Sequence, residues 1–167
     1  MKLYKLVLAA AVAIPGVAQA QTQTATINVT AKVQTAVTFS NSAPLDFGTA
    51  ITPGTAASVA PADGGKVMVS YNTPTTVTVA GTVLTETAGS ATIPVTYSCS
   101  HATTGTSTAP TAFAGTCAAG YTTTLNGRAK TDHWIYLGGG IAAAATNAVP
   151  AGNYSGTATF TATYTTY

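Results

Sequence analysis

The sequence has little charge, little helix-forming chemistry and no long apolar stretch beyond its first residues. Only 6% of the 167 positions are charged, so the chain has no basic face with which to neutralise phosphates. We therefore expect no nucleic-acid binding. After residue 20, Glu, Lys, Gln, Leu and Met are rare, while Thr, Ala, Val and Gly dominate. Because β-branched residues pack well on a pleated surface, this composition predicts an all-β protein.

The first 20 residues have the pattern of a cleavable signal peptide. Lys2 and Lys5 provide a positive start, residues 6–14 form a short apolar run, and small residues lead to a cleavage site after Ala20. The run is shorter than the roughly 20 apolar residues of a membrane-spanning helix, and no second run of that length follows. We therefore expect export from the cytoplasm and a mature chain that does not span a membrane.

The mature chain has the size of one small domain and no net charge. Removing 20 of the 167 residues leaves 147, which is enough for one domain. Lys2 and Lys5 leave with the signal, so four basic and four acidic residues remain. The basic excess of the whole chain therefore belongs to the signal peptide.

Cysteine is scarce, and its two occurrences predict one disulfide. Cys99 and Cys117 are 18 positions apart, and an exported protein with two cysteines most simply pairs them. Closing a loop of that size stabilises a fold by about 3 kcal/mol in the chain-entropy model. A metal site is the alternative, but the nearby His101 supplies one ligand and no further cluster accompanies it.

Alternation of apolar and polar residues is clearest at the two ends of the mature chain. The first run would extend roughly 50 Å as a single strand, which exceeds ordinary strand lengths. We expect it to bend near Thr35, or to place its halves in different sheets or different molecules. Its apolar members are Ala25, Ile27, Val29, Ala31, Val33, Val37 and Phe39. The apolar face of the last run comprises Tyr154, Gly156, Ala158, Phe160, Ala162 and Tyr164.

Shorter strand-like runs separated by turn residues lie between the two ends. The runs cover residues 66–71, 75–84, 92–98, 121–125 and 133–137. The turn signals are Asp63-Gly64-Gly65, Asn72-Thr73-Pro74, Asn126-Gly127 and Gly138-Gly139-Gly140. About seven short strands at this spacing predict a β-sandwich or a Greek-key barrel.

Catalytic motifs are absent from the sequence. The ionisable cluster of Arg128, Lys130, Asp132 and His133 has no accompanying nucleophile elbow, zinc motif or phosphate loop. We interpret it as the solvated part of a hairpin. Trp134, which begins an apolar run, is expected in the core. The sequence thus predicts neither an enzyme, nor a cofactor, nor a metal centre.

Both ends of the mature chain resemble a family of fibre subunits. Asn28-Val29-Thr30-Ala31-Lys32-Val33 followed by Leu45-Asp46-Phe47-Gly48 resembles the opening of bacterial chaperone–usher pilins of the archaic, spore-coat-U-like group. Gly152-Asn153-Tyr154-Ser155-Gly156-Thr157, continuing to Tyr164, resembles their closing strand. The same signatures, with Phe47-Gly48-Thr49-Ala50-Ile51-Thr52-Pro53, also resemble a related uncharacterised family of secreted bacterial β-sandwich proteins.

The resemblance implies an immunoglobulin-like sandwich (residues 35–167) that lacks its final strand, preceded by an N-terminal extension (residues 21–34). In such pilins a periplasmic chaperone first fills the gap, and at the outer-membrane usher the extension of another subunit replaces it. The implied donor residues are Ala25, Ile27, Val29, Ala31 and Val33. Those on the acceptor side are Tyr154, Ala158, Phe160 and Tyr164.

Two functions therefore follow from the sequence as expectations. The first is a structural subunit of an extracellular or cell-surface fibre, which joins to copies of itself or to related pilus subunits. The alternative is a self-contained secreted β-sandwich that binds a surface or a carbohydrate. The two differ in whether the N-terminal extension pairs with another molecule or within its own domain.

Overall fold

The computed structural model describes residues 28, 30–31, 36–48, 50–122 and 130–164. Of the N-terminal extension, Asn28, Thr30 and Ala31 are described; all three are exposed and lie outside any strand. The remainder of the described chain is almost entirely β-structure. The strands are β1 (Val37–Ala43), β2 (Ala57–Val59), β3 (Gly65–Tyr71), β4 (Thr75–Gly81), β5 (Leu84–Glu86), β6 (Thr92–Ile93), β7 (Thr96–Ala102), β8 (Thr111–Ala112), β9 (Tyr121–Thr122), β10 (Thr131–Ile141), β11 (Tyr154–Ser155) and β12 (Ala158–Tyr164).

Two short helices complete the described elements. A 3₁₀ helix covers Pro61–Asp63, and α1 covers Ala143–Asn147. Neither they nor any other described segment forms a helix long and apolar enough to cross a membrane.

The described strands form antiparallel sheets, and the largest of these contains β10, the longest strand described. One sheet has the order β1-β3-β10-β7-β8, with β2 pairing with β10 beyond the end of β3. A second sheet has the order β12-β4-β9, and a small third sheet has the order β11-β5-β6. The predicted all-β sandwich is thereby confirmed. The described strands outnumber the seven or so expected, because several predicted runs are divided and because β2 and β8 lie outside every predicted run.

The core lies between the first and second sheets. Alternate residues of β3 and β10 point inward, so Val69 and Ile135 are fully buried, and Val77 of β4 is fully buried opposite them. The period-two alternation of these strands therefore sorts side chains as the sequence predicts. The further buried members of the core cluster are Val67, Tyr71, Val79, Cys99, Phe113, Cys117 and Leu137.

The disulfide is confirmed, and it ties the two sheets together. Cys99 lies on β7 of the first sheet and bonds to Cys117, with 5.3 Å between the Cα atoms. The carbonyl of Cys117 accepts a hydrogen bond of 3.0 Å from the backbone N–H of Val79, on β4 of the second sheet. The covalent link therefore holds the loop after β7 against the opposite sheet.

The predicted glycine turn at residues 138–140 is wrong, because these glycines lie within β10. A Cβ atom added to Gly138 would lie 2.6 Å from the carbonyl oxygen of Val59 and 2.7 Å from the nitrogen of Pro61. Glycine at this position therefore permits close packing of the 3₁₀ segment on the strand, and it does not reverse the chain.

The first terminal run is described only in part, and the closing run differs from the expected single strand. The first described strand begins at Val37, and the residues around the expected bend (32–35) lie outside the described residues. The closing run is divided, because Tyr154 pairs with Glu86 in the third sheet while β12 pairs with β4 in the second. The predicted run at 92–98 is also divided, with Pro94 between β6 and β7, since proline cannot donate to a strand ladder.

Candidate functional site

An open seam separates β1 and β12 on one side of the sandwich. The two strands terminate the first and second sheets, and no described strand pairs with the outer edge of either. Their inward side chains meet across the gap, where the rings of Phe39 and Phe160 have centroids 6.4 Å apart. We call the inward residues of the two strands the seam: Val37, Phe39, Ala158, Phe160, Ala162 and Tyr164.

The seam is apolar and partly exposed. Phe39 is 39% exposed and Tyr164 is 43% exposed, whereas Val69 and Val77, on neighbouring strands, are 0% exposed. Along its outer edge, each seam strand has no strand partner among the described residues, and such an edge is the usual template for an added strand. Within the described part of the chain, the seam therefore has the two properties that strand addition needs, an apolar cleft and strand edges without a strand partner.

The length of the seam matches one short strand. β12 pairs with β4 over seven residues, from Ala158 opposite Gly81 to Tyr164 opposite Thr75. At about 3.3 Å per residue, the free edge extends roughly 23 Å. On the other side, the pairing of β1 with β3 is regular from Val37 to Ser40 and then shifts register. Asn41 has φ 52° at this irregularity.

The structure brings together most of the predicted acceptor residues. Ala158, Phe160 and Tyr164 lie on the seam side of β12. Tyr154 does not join them, because it lies on β11 in the third sheet. Val37 and Phe39, which the sequence places in the same alternating run as the predicted donor residues, lie on the opposite wall of the seam. Among the predicted donor residues, Ala25, Ile27, Val29 and Val33 lie outside the described residues, and Ala31 is exposed.

A second feature is a histidine pair beside a cavity at one end of the first sheet. His101 of β7 and His133 of β10 lie with Nδ1 and Nε2 3.2 Å apart. Tyr121 of β9 stacks on His101 with ring centroids 3.6 Å apart and an interplanar angle of 16°. The cavity has a volume of about 540 Å³, and its wall includes Tyr71, His101, Ser107, Thr111, Tyr121 and His133.

Burial keeps both imidazoles neutral over a wide pH range. His133 is 6% exposed, and burial together with the charge of His101 lowers its pKa to about 4. Burial also lowers the pKa of His101. A neutral imidazole has one N–H and one lone pair, so one ring of the pair donates a hydrogen bond to the other.

The expectation that the ionisable residues at 128–133 are solvated is wrong for His133, which is 6% exposed, although Lys130 and Asp132 are exposed. Asp132 and His133 are neighbours on β10, so their side chains point to opposite faces. Asp132 accepts a hydrogen bond from Ser70, whereas His133 faces the core side with His101. Lys130 is exposed, and Arg128 lies outside the described residues.

Trp134 is only half-buried, contrary to the core position expected for it. It lies on the outer face of β10, where the ammonium of Lys66 is 5.8 Å from its ring centroid. A Cβ atom on Gly105 would come within 2.6 Å of the indole, so the loop after β7 covers the ring. A flat, open sugar platform is therefore not present at Trp134.

The pairing of His101 with His133 was missed by the sequence interpretation, which treated each histidine alone. The available signal was strand parity, because His101 shares a face with Cys99, and His133 shares one with Ile135. That parity places both imidazoles inward but does not reveal that β7 and β10 are neighbours. Within the described ranges, no three His, Cys, Asp or Glu side chains form a group able to hold a metal ion.

Comparison with protein-family models finds no match, and comparison with curated proteins finds none either.

Proposed function

We propose that this protein is a structural subunit of a bacterial surface fibre, assembled by donation of a strand from one subunit to the next. The observation that carries the proposal is the open apolar seam between β1 and β12, with Phe39 facing Phe160. Exposed aromatic side chains along two unpaired strand edges are costly for an isolated domain, so an added strand would stabilise it.

The extension at residues 21–34 has the pattern that such a seam would accept. Its alternate apolar side chains (Ala25, Ile27, Val29, Ala31 and Val33) would fill the cleft, while its backbone would pair with the free strand edges. The polar residues between them would face water. Specificity would come from the match between apolar side chains and seam residues, and affinity would come largely from main-chain hydrogen bonds.

The proposed function requires that the protein is exported from the cytoplasm before it assembles. The signal pattern ending at Ala20 would direct export, and cleavage there would leave the extension at the new N-terminus. In the periplasm a chaperone would cover the seam, and an outer-membrane usher would exchange it for the extension of another copy or of a related subunit. Catalysis, a cofactor and a nucleic-acid partner have no part in this function.

Strand donation can be tested with the extension supplied in trans. The mature chain and a variant lacking residues 21–33 would be compared by size-exclusion chromatography, and a peptide of residues 21–34 would be added to the variant. We expect the full chain to polymerise, and the variant to stay monomeric and to bind the peptide with new amide protection in β1 and β12. The matched control is the same peptide carrying Ile27→Asp and Val29→Asp.

The alternative function predicts a different oligomeric state for the same samples. If the domain is self-contained and binds a surface or carbohydrate, the full chain is a stable monomer and its extension pairs within its own domain. A monomeric full chain together with a truncated variant that unfolds would overturn the proposal.

A further inference from the structure

We propose that His101 and His133 form a binding site for one divalent transition-metal ion, with Cu²⁺ held most tightly and Zn²⁺ and Ni²⁺ less so. The two imidazoles come from neighbouring strands, and Nδ1 of His101 is 3.2 Å from Nε2 of His133. The seam lies between other strands, so this inference does not depend on strand donation.

The separation of the two nitrogens suits a shared ion. Imidazole nitrogens bind Zn²⁺ at about 2.0–2.1 Å, which places two ligands of one ion roughly 2.8–3.4 Å apart for bond angles between square and tetrahedral. In the metal-free protein the same distance holds an N–H···N hydrogen bond. For the ion to enter, the ring that donates this proton carries it on its other nitrogen instead. Each ring then has a lone pair facing the other ring, and a small rotation of the rings would direct both lone pairs at one ion, while the charge of neither ring changes.

Neighbouring side chains restrain the two rings. Tyr121 lies face to face with His101, and its ring centroid is 5.3 Å from that of His133. Phe113 packs beside these rings, with its centroid 6.3 Å from His101 and 5.8 Å from Tyr121. Because packed rings lose little further freedom on binding, this arrangement favours chelation over capture by one histidine at a time.

The cavity beside the pair provides room for the remaining ligands of the ion. The residues that line it include the hydroxyl-bearing Ser107, Thr111 and Tyr121, and its volume of about 540 Å³ accommodates several waters. No described carboxylate or thiol joins the two histidines in a group of three. Two imidazoles with oxygen or water ligands suit Cu²⁺, Zn²⁺ or Ni²⁺, whereas Ca²⁺ and Mg²⁺ prefer carboxylates. The order among the three ions follows their general affinity for nitrogen ligands.

The composition of the chain makes the assignment unusually easy to test. The whole sequence contains two histidines, and these are the two residues of the proposed site. Both cysteines are in the disulfide, so no thiol competes for the ion. Any imidazole signal from a bound metal must therefore come from His101 or His133.

The experiment is a titration of the tag-free mature protein with CuSO₄, followed by calorimetry and by electron paramagnetic resonance. We expect one ion per chain with hyperfine coupling to two imidazole nitrogens, and a weaker isotherm with ZnCl₂. The variants are His133→Gln and His101→Phe, the second of which keeps an aromatic ring against Tyr121. Each variant should lose the two-nitrogen signal while retaining the circular dichroism and elution volume of the parent.

A third measurement keeps the proposal falsifiable if His133→Gln does not fold. The ¹⁵N shifts of the parent report which nitrogen of each ring carries the proton, and diamagnetic Zn²⁺ should leave Nδ1 of His101 and Nε2 of His133 both deprotonated. The absence of binding to the parent would overturn the proposal. So would unchanged copper binding in His101→Phe, which would place the ion at the N-terminal amine or another surface group.

Discussion

Phe39 on the first described strand and Phe160 on the last lie with their ring centroids 6.4 Å apart, across the open side of the sandwich. The two residues are 121 positions apart in the sequence, and their strands belong to different sheets. Their contact is the point at which the two sheets approach each other without an intervening described strand. A strand that enters the seam must therefore pack against this pair.

Replacement of Phe160 should weaken strand binding without loss of the sandwich. In Phe160→Ala, the donor strand would lose a contact worth about 1.5–3 kcal/mol for a fully buried side chain of this size. This corresponds to roughly ten- to hundredfold weaker binding of the 21–34 peptide. The matched control is Thr161→Ala, the next residue on β12, whose side chain is exposed on the outer face. Equal peptide affinity for the two variants, measured by fluorescence anisotropy, would show that the seam does not bind the extension.

Removal of the disulfide should lower the free energy of unfolding substantially. The bond closes a loop with a sequence separation of 18, so a double variant Cys99→Ser and Cys117→Ser should lose about 3 kcal/mol. Urea unfolding monitored by tryptophan fluorescence gives the value, with the reduced parent protein as control. A loss well under 1 kcal/mol in both samples would mean that the loop is held by its noncovalent contacts instead.

Gly138→Ala should destabilise the fold, whereas Gly140→Ala should not. A Cβ atom on Gly138 would lie 2.6 Å from the carbonyl oxygen of Val59, but one on Gly140 would lie 4.0 Å from its nearest neighbour, the carbonyl oxygen of Ala57. Forced overpacking typically costs about 1–3 kcal/mol. The two variants add the same methyl group two residues apart on β10, so their difference in thermal midpoint isolates the contact with the 3₁₀ segment. Similar midpoints would contradict this account of the glycines.

Stability of the metal-free protein should fall as the pH drops from about 6.5 to about 4. In the unfolded chain His133 has the ordinary histidine pKa of about 6.5. In the folded protein burial, together with the charge of His101, lowers its pKa to about 4. The unfolded state therefore binds more protons in this window, so the contribution of His133 is complete above pH 6.5 and is lost progressively on acidification.

The pH effect can be separated from that of the carboxylates by difference. Unfolding in urea with a chelator present would be measured at pH 7, 5.5 and 4.5 for the parent and for His133→Gln. Asp and Glu titrate in both proteins, so the parent should lose more stability than the variant between pH 7 and 4.5. Parallel curves would show that His133 is protonated as easily in the folded state as in the unfolded one.

Strand alternation predicts the sandwich well because it reports directly on burial. Residues 66–71 alternate inward and outward as the sequence pattern requires, and they form β3 almost to the residue. The glycines at 138–140 mislead because their sequence signature is that of a turn, while their actual role depends on a segment more than 70 residues earlier, Pro61–Asp63, packing on them. Close packing between segments that are far apart in the chain cannot be recognised from the local sequence.

The two candidate sites differ in how much of each is predictable. Ala158, Phe160 and Tyr164 follow from the alternation of the closing run and the family resemblance, whereas the division of that run at Gly156 and Thr157 does not. Val37 and Phe39 continue the parity of the N-terminal run, but their place opposite β12 depends on which strands form the sheet edges. The histidine pair depends on the pairing of β7 with β10. The sequence around either histidine does not indicate which strands are neighbours.

The disulfide between Cys99 and Cys117 also closes a loop that forms part of the wall of the histidine cavity. The loop that it closes carries His101, Ser107 and Thr111, all of which line the cavity. In a reducing environment that loop has no covalent attachment to the segment against β4, so its side chains are held less firmly around the imidazoles. For the proposed copper site, we therefore expect the reduced chain to bind the ion more weakly than the oxidised chain.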